Sequence, residues 1–282
     1  MMNFKLLQMK FGERNLFTIS EILDGDTEFI PLLSSEDEEL INAEKIPEVL
    51  PILPLRNTVL FPGVVIPITV GRDKSIKLVK EAYKEKKLIG VVAQKNAEIE
   101  EPDINDLNNV GTVANIIKIL QMPDGNTTVI IQGKKRFLLK EIIQTEPYFK
   151  AEVDEFDKLE NLVKNKEFKA LIGSLKDLSI QIIRQSPNIP TDAAFAIKNI
   201  ESPVFLVNFV SSNLNIDIAE KQKLLEISDF HERAQKVLFS LTKELQMLEL
   251  KNQIQNKVKV DLDKQQRDYF LHQQLKTIQE EL

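Results

Sequence analysis

Two histidines, no cysteine and three short patterns with catalytic spelling are the chemically suggestive features of this 282-residue sequence. His231-Glu232 opens as an H-E-x-x-H zinc helix does, but Gln235 stands where the second imidazole must sit one turn later. Gly133-Lys134 is the only Gly-Lys pair. Thr128 replaces the first glycine of a phosphate-cradling loop and Lys135 replaces its Ser or Thr. Ser240 and Lys243 have S-x-x-K spacing, with no Gly-rich oxyanion loop nearby. Asn126-Thr127-Thr128 is a glycosylation sequon that matters only in a secreted chain. Catalytic, cofactor-binding and metal-ligating residues are therefore expected to be absent.

Two other groups of residues could bind rather than react. Lys134, Lys135 and Arg136 form the most basic cluster and read as a solvated hairpin end. Val59, Leu60 and Phe61 are apolar residues in an expected loop that Pro62-Gly63 closes as a turn. Such residues either anchor the loop under a domain or stay exposed to grip something apolar.

Composition narrows the class. The chain is 43% hydrophobic and 28% charged, as a globular protein is. A net charge of −6 and a pI near 5.3 disfavour non-specific nucleic-acid binding. The lack of cysteine fits a reducing compartment. No run reaches the ~20 apolar residues that span a bilayer, and the N-terminus lacks a signal-peptide core. A cytoplasmic location and no membrane contact are expected.

The elements that would carry these residues fall into four parts. Residues 1–48, with the acidic run Ser34 to Glu39, read as a mobile arm. Residues 49–157 have the grammar of a mostly-β domain with one helix. Pro51 and Pro54 argue for a sheet edge or a strand start, and Pro67 against a central position, because proline donates no ladder hydrogen bond. Pro123-Asp124-Gly125-Asn126 predicts a hairpin turn, and Gly133 a break or bulge. Many strands with short connections predict a closed or nearly closed barrel. Residues 158–216 are helical, with Ser202-Pro203 a cap and first-turn proline. Residues 217–282 lack Gly and Pro from Ile218 onward, and one unbroken helix there would be roughly 97 Å long at ~1.5 Å per residue. Its apolar seam comes in two pieces, Leu241, Leu245 and Leu248, then Leu271, Leu275 and Ile278. Each is a candidate helix-partner or oligomer contact. Leu282 sits on that seam without a capping signal and reads as a cut chain end.

Several blocks, in order, carry a resemblance. They are PLRNTVLFPGVVIPITVGRDKSI (54–76), GVVAQK (90–95), DLNNVGTVANI (106–116), LQMPDGNTTVIIQGKKRF (120–137) and KVDLDKQQRDYFLHQQLKTIQEEL (259–282). Together they resemble the N-terminal region of bacterial Lon-type ATP-dependent proteases, ending before the ATPase module. The resemblance implies an α+β fold: a mostly-β PUA-like pseudo-barrel, then an α-helical bundle and a long C-terminal helix. It implies a non-catalytic role in protein quality control, recognising unfolded, damaged or tagged proteins and supporting a homo-hexamer. ATP, Mg and the Ser-Lys dyad are expected only in modules absent here. Unfolded chains are distinguished by exposed apolar segments, so the candidate contacts are Val59, Leu60, Phe61, Pro62, Met122 and Pro123. A scaffold built on the long helix is one alternative. A PUA-like RNA-binding module is another, by fold analogy alone.

Overall fold

The computed structural model describes residues 43–122, 126–156, 165–186, 189–190 and 192–281. Residues 1–42 of the expected arm and the hairpin turn at 123–125 lie outside them. Among the described residues six strands come first: β1 (Val49–Leu55), β2 (Val65–Val70), β3 (Ile89–Ala93), β4 (Val110–Gln121), β5 (Thr127–Gln144) and β6 (Lys150–Glu155). Helix α1 (Asp73–Glu85) lies between β2 and β3. Five helices follow: α2 (Lys166–Gln185), α3 (Asp192–Asn199), α4 (Pro203–Asn213), α5 (Ile218–Glu226) and α6 (Phe230–Glu281).

The strands run β2-β5-β4-β3-β1-β6, and β6 also pairs with β5. That second pairing closes five strands on themselves and removes their edges. The closure depends on the length of β5. Its first half pairs with β2 from Thr127 to Gln132, and its second half pairs with β6 from Phe137 to Gln144.

The prolines fit this topology in two ways. Pro67 is on β2, the edge strand, as its missing N–H requires. Pro51 and Pro54 are on β1, which lies inside the strand order, against the edge expectation. β1 changes partner midway: Val49–Pro51 pair with β6 and Ile52–Leu55 with β3. Each half is thus in register with one neighbour only, Pro51 opposite Lys150 and Pro54 beside Val92. Gly133 does not end its strand. β5 runs through it, and the register with β4 shifts by one residue just beyond it, between Gly133 and Arg136.

Alternation along β1 and β3 feeds two cores. Leu50, Ile52 and Val92 pack with Phe137 and Val113. Leu53, Leu55, Ile89 and Val91 pack with Leu78, Val79 and Ala82, the buried face of α1. Residues just before β1 also touch the barrel. The Val153 N–H donates to Glu48 O (2.9 Å), Ile46 packs on the first of these cores, and Lys134 pairs with Glu44.

The helices start where their caps dictate. Asn165 accepts from the Phe168 N–H (2.7 Å) at the head of α2. Ser202 accepts from the Phe205 N–H (3.1 Å), with Pro203 in the first turn of α4. The chain after Ile218 is not one helix. It breaks between Glu226 and Phe230 with neither Gly nor Pro present, because Asp229 accepts from the Glu232 N–H (2.6 Å) and starts a new helix. The 52-residue α6 is then roughly 78 Å long at ~1.5 Å per residue.

Candidate functional site

The loop between β1 and β2 is the joint of the molecule. Val59, Leu60 and Phe61 are almost fully buried, so these three are not an exposed grip for a partner. Val59, Phe61 and Val64 belong to the same core as Phe205, Leu206 and Val207 of α4. The physical reason is burial on two sides: the barrel lies on one flank of the loop and the helices on the other. Thr112 donates to Leu60 O (2.6 Å), and Asn208 Nδ2 donates to Pro62 O (3.2 Å). Gly63 adopts φ 77°, a left-handed conformation that side chains disfavour. Its N–H donates to Gly133 O, and the Gly133 N–H donates to Val64 O, both at 2.9 Å. A Cβ on Gly133 would stand 2.4 Å from Phe61 O, so glycine is what lets the loop lie against β5.

Arg136 is the second surprise of this joint. It is not part of a solvated basic hairpin end but only 2% exposed. Its Nη1 donates to Leu225 O and to Ile227 O (2.7 Å), and its guanidinium lies 4.8 Å from the centre of the Phe156 ring. These carbonyls belong to the C-terminal end of α5, where the helix dipole favours a cation. Gln222 Nε2 adds a hydrogen bond to Val110 O (2.9 Å). Lys135 pairs with Glu155 (3.0 Å). Arg136 and Gln222 therefore fasten barrel to helices, whereas Lys134 and Lys135 pair with Glu44 and Glu155 on the barrel side.

A cavity of about 140 Å³ opens among α2, α3, α4 and α6. Ile182, Ile183, Ile197, Val210 and Leu241 are among the apolar residues of its wall, with Ser179 and Asn213 as polar ones. Glu244 is the one carboxylate in that wall. Burial pushes its carboxyl above the usual range, against the Asn215 N–H (3.3 Å) and the Lys221 charge, which lower it.

The two pieces of the expected seam part company on α6. Leu241 and Leu245 are buried in the bundle, and Leu248 packs against it. Leu271, Leu275 and Ile278 are 46%, 56% and 55% exposed. Every side chain described from Gln253 onward is exposed. Of the remaining candidates, Pro62 and Met122 are half-buried, and Pro123 lies outside the described residues.

No group of three or more His, Asp or Glu side chains among the described residues could hold a metal ion. His231 meets Gln235 at 3.1 Å on the surface of α6, and Ser240 and Lys243 lie on the same helix. Among the described residues, no helix is long and apolar enough to cross a membrane.

The sequence could have disclosed one missed feature. Asp229-x-x-Glu232 is a helix-start pattern in plain view. Arg136, Gln222, Asn208 and Glu244 carry no such signal, because their partners are brought close only by the fold.

A closed sheet is fastened to a helical bundle, and the far part of a long helix leaves that body with its side chains exposed. The family model for the ATP-dependent protease La (LON) substrate-binding domain matches residues 49–243, and the chain belongs to that family. It is 59% identical over 259 residues to Lon protease of Flavobacterium johnsoniae, covering 92% of this chain and 32% of that protein. It is 52% identical to Lon protease of Cytophaga hutchinsonii, covering 91% and 32% respectively. The chain thus spans about a third of the length of these curated relatives. Its fold is similar to the N-terminal domain of Mycobacterium avium complex Lon protease, with a TM-score of 0.56 at 20% identity. That alignment covers 69% of this chain and 98% of the other.

Proposed function

We propose that this chain recognises unfolded, damaged or tagged protein substrates on behalf of an ATP-dependent serine protease of protein quality control. The observation that carries the reading is the match of the substrate-binding family across barrel and bundle together, residues 49–243. Peptide-bond and ATP hydrolysis, with their ATP and Mg, are assigned to the two thirds of the relatives' length that this chain does not span. The cysteine-free composition supports action in the cytoplasm. Pro62 and Met122 stay candidate substrate contacts, since both are partly accessible.

A second role is favoured by the far half of α6. Its exposed Leu271, Leu275 and Ile278 support pairing with a second copy and assembly of a homo-hexamer.

The test is binding of this chain, without nucleotide, to one labelled protein in native and in permanently unfolded form. Selective capture of the unfolded form is expected. Equal or absent binding of both, together with concentration-dependent self-association, would leave only the scaffold role.

A further inference from the structure

We propose that the cavity among α2, α3, α4 and α6 is a receptor for one large apolar side chain of an unfolded polypeptide, phenylalanine or leucine in size, with Glu244 receiving a cationic neighbour on the same segment. The inference rests on the substrate-recognition reading above and locates it on the helical part rather than on the barrel.

Size is the first argument. The cavity measures about 140 Å³. An apolar protein cavity of about 150 Å³ stays dry and admits one benzene. A single phenyl ring or branched aliphatic group therefore fills this one, and a second does not fit.

Wall chemistry is the second argument. Ile182, Ile183, Ile197, Val210 and Leu241 offer only hydrocarbon. A folded protein keeps its large apolar side chains in its own core, whereas an unfolded one presents them singly on an extended chain. A pocket for one such group therefore sorts the two states without reading sequence.

Charge is the third. Glu244 Oε2 accepts from the Asn215 N–H (3.3 Å), and the carboxylate is only partly screened by solvent. The Lys221 ammonium donates to Ser212 O (2.7 Å). A carboxylate whose ionised form is disfavoured by burial gains most from an arriving cation, so Lys or Arg beside the apolar residue is preferred over Asp or Glu. The named apolar wall lies wholly inside the matched residues 49–243.

The experiment uses the whole chain with ¹³C-labelled isoleucine δ1 methyl groups. The probe is an unstructured twelve-residue peptide with one Phe followed by Lys, and its Phe→Gly counterpart. The Phe peptide is expected to move the Ile182, Ile183 and Ile197 methyl signals, and the Gly peptide to bind at least tenfold more weakly. Ala193→Phe projects a ring from the cavity wall and should abolish the shifts while a thermal melt shows the chain folded. If that variant does not fold, the methyl shifts of the unaltered chain decide. In Glu244→Gln, the advantage of a Phe-Lys over a Phe-Ala peptide should vanish. Peptide and unfolded protein that bind while these methyls stay unmoved would overturn the pocket and leave substrate recognition standing. A chain that binds neither would overturn the recognition reading itself.

Discussion

Val59, Leu60 and Phe61 on one side, and Leu271, Leu275 and Ile278 on the other, are apolar groups of similar size with opposite fates. The first trio sits in a loop, where solvent contact is the ordinary expectation, yet it is almost fully buried. The second sits on a regular helix at core-like spacing, yet each member is about half exposed. Apolar spacing states a demand for burial. It does not state which surface meets the demand, or whether that surface belongs to the same chain. The loop finds barrel and bundle together; the far helix, over roughly 43 Å from Gln253 at ~1.5 Å per residue, finds neither.

The sharpest way to break the contrast is Phe61→Ser. Truncating a fully buried phenyl and burying a hydroxyl should cost about 3–5 kcal/mol. Because Phe61 shares one core with α4, barrel and helices should melt in a single urea transition followed by circular dichroism. Two separated transitions would show that the loop is not the joint.

Arg136→Met comes next. It keeps the length of the side chain and removes the donors to Leu225 O and Ile227 O. Leaving a buried carbonyl unpaired costs about 1–3 kcal/mol, and the Ile227 carbonyl bond is only part-buried, so a loss of roughly 2–4 kcal/mol is expected. Hydrogen exchange should speed up first at residues 226–230. Gly133→Ala is smaller. The new methyl meets Phe61 O, and the strain of overpacking is typically about 1–3 kcal/mol, read as a lower urea midpoint with an unchanged slope.

Much of the fold was legible because it rests on local chemistry. The proline of β2 and the cap at Ser202 with its first-turn Pro203 are written within a few residues of where they act. The illegible parts are those that depend on distant partners. Pro51 and Pro54 look like edge residues until β1 is seen to change neighbours between them. Arg136 looks solvated beside Lys134 and Lys135 until a helix end 89 residues later arrives to accept its hydrogen bonds. The candidate site divides the same way. The apolar loop could be singled out by composition but not assigned to core or surface. The cavity, whose walls come from four helices spread between Ser179 and Glu244, left no local trace.

Glu244 sharpens the comparison at its boundary, where α6 leaves the bundle. Its carboxyl is raised mainly by burial. A raised carboxyl binds protons more tightly folded than unfolded, so the ionised form weakens the fold. That penalty is complete above the raised folded value and vanishes as pH falls below the ordinary carboxylate value of about 4.3. Glu244→Gln should therefore be modestly more stable than the unaltered chain at pH 7, with the difference shrinking towards pH 4 in parallel urea titrations. A difference that does not change with pH would mean that the carboxyl is not desolvated there.

The smallest effect on folding is expected where the sequence pattern is strongest. Replacing Leu271, Leu275 and Ile278 together by Ser alters three side chains that the body of the molecule does not cover. Exposed substitutions usually move stability by less than about 0.5 kcal/mol, so the melting of barrel and bundle should be unchanged. The same triple variant should lose whatever self-association the unaltered chain shows in sedimentation, because an uncovered apolar stripe on a helix is stabilised chiefly by packing against another helix. A large fall in stability at concentrations where the chain is monomeric would mean that the far helix folds back onto the body in solution. The contrast with the buried loop would then be one of degree. An unchanged melt with lost association would make it a contrast of address, with one apolar trio satisfied within the chain and the other between chains.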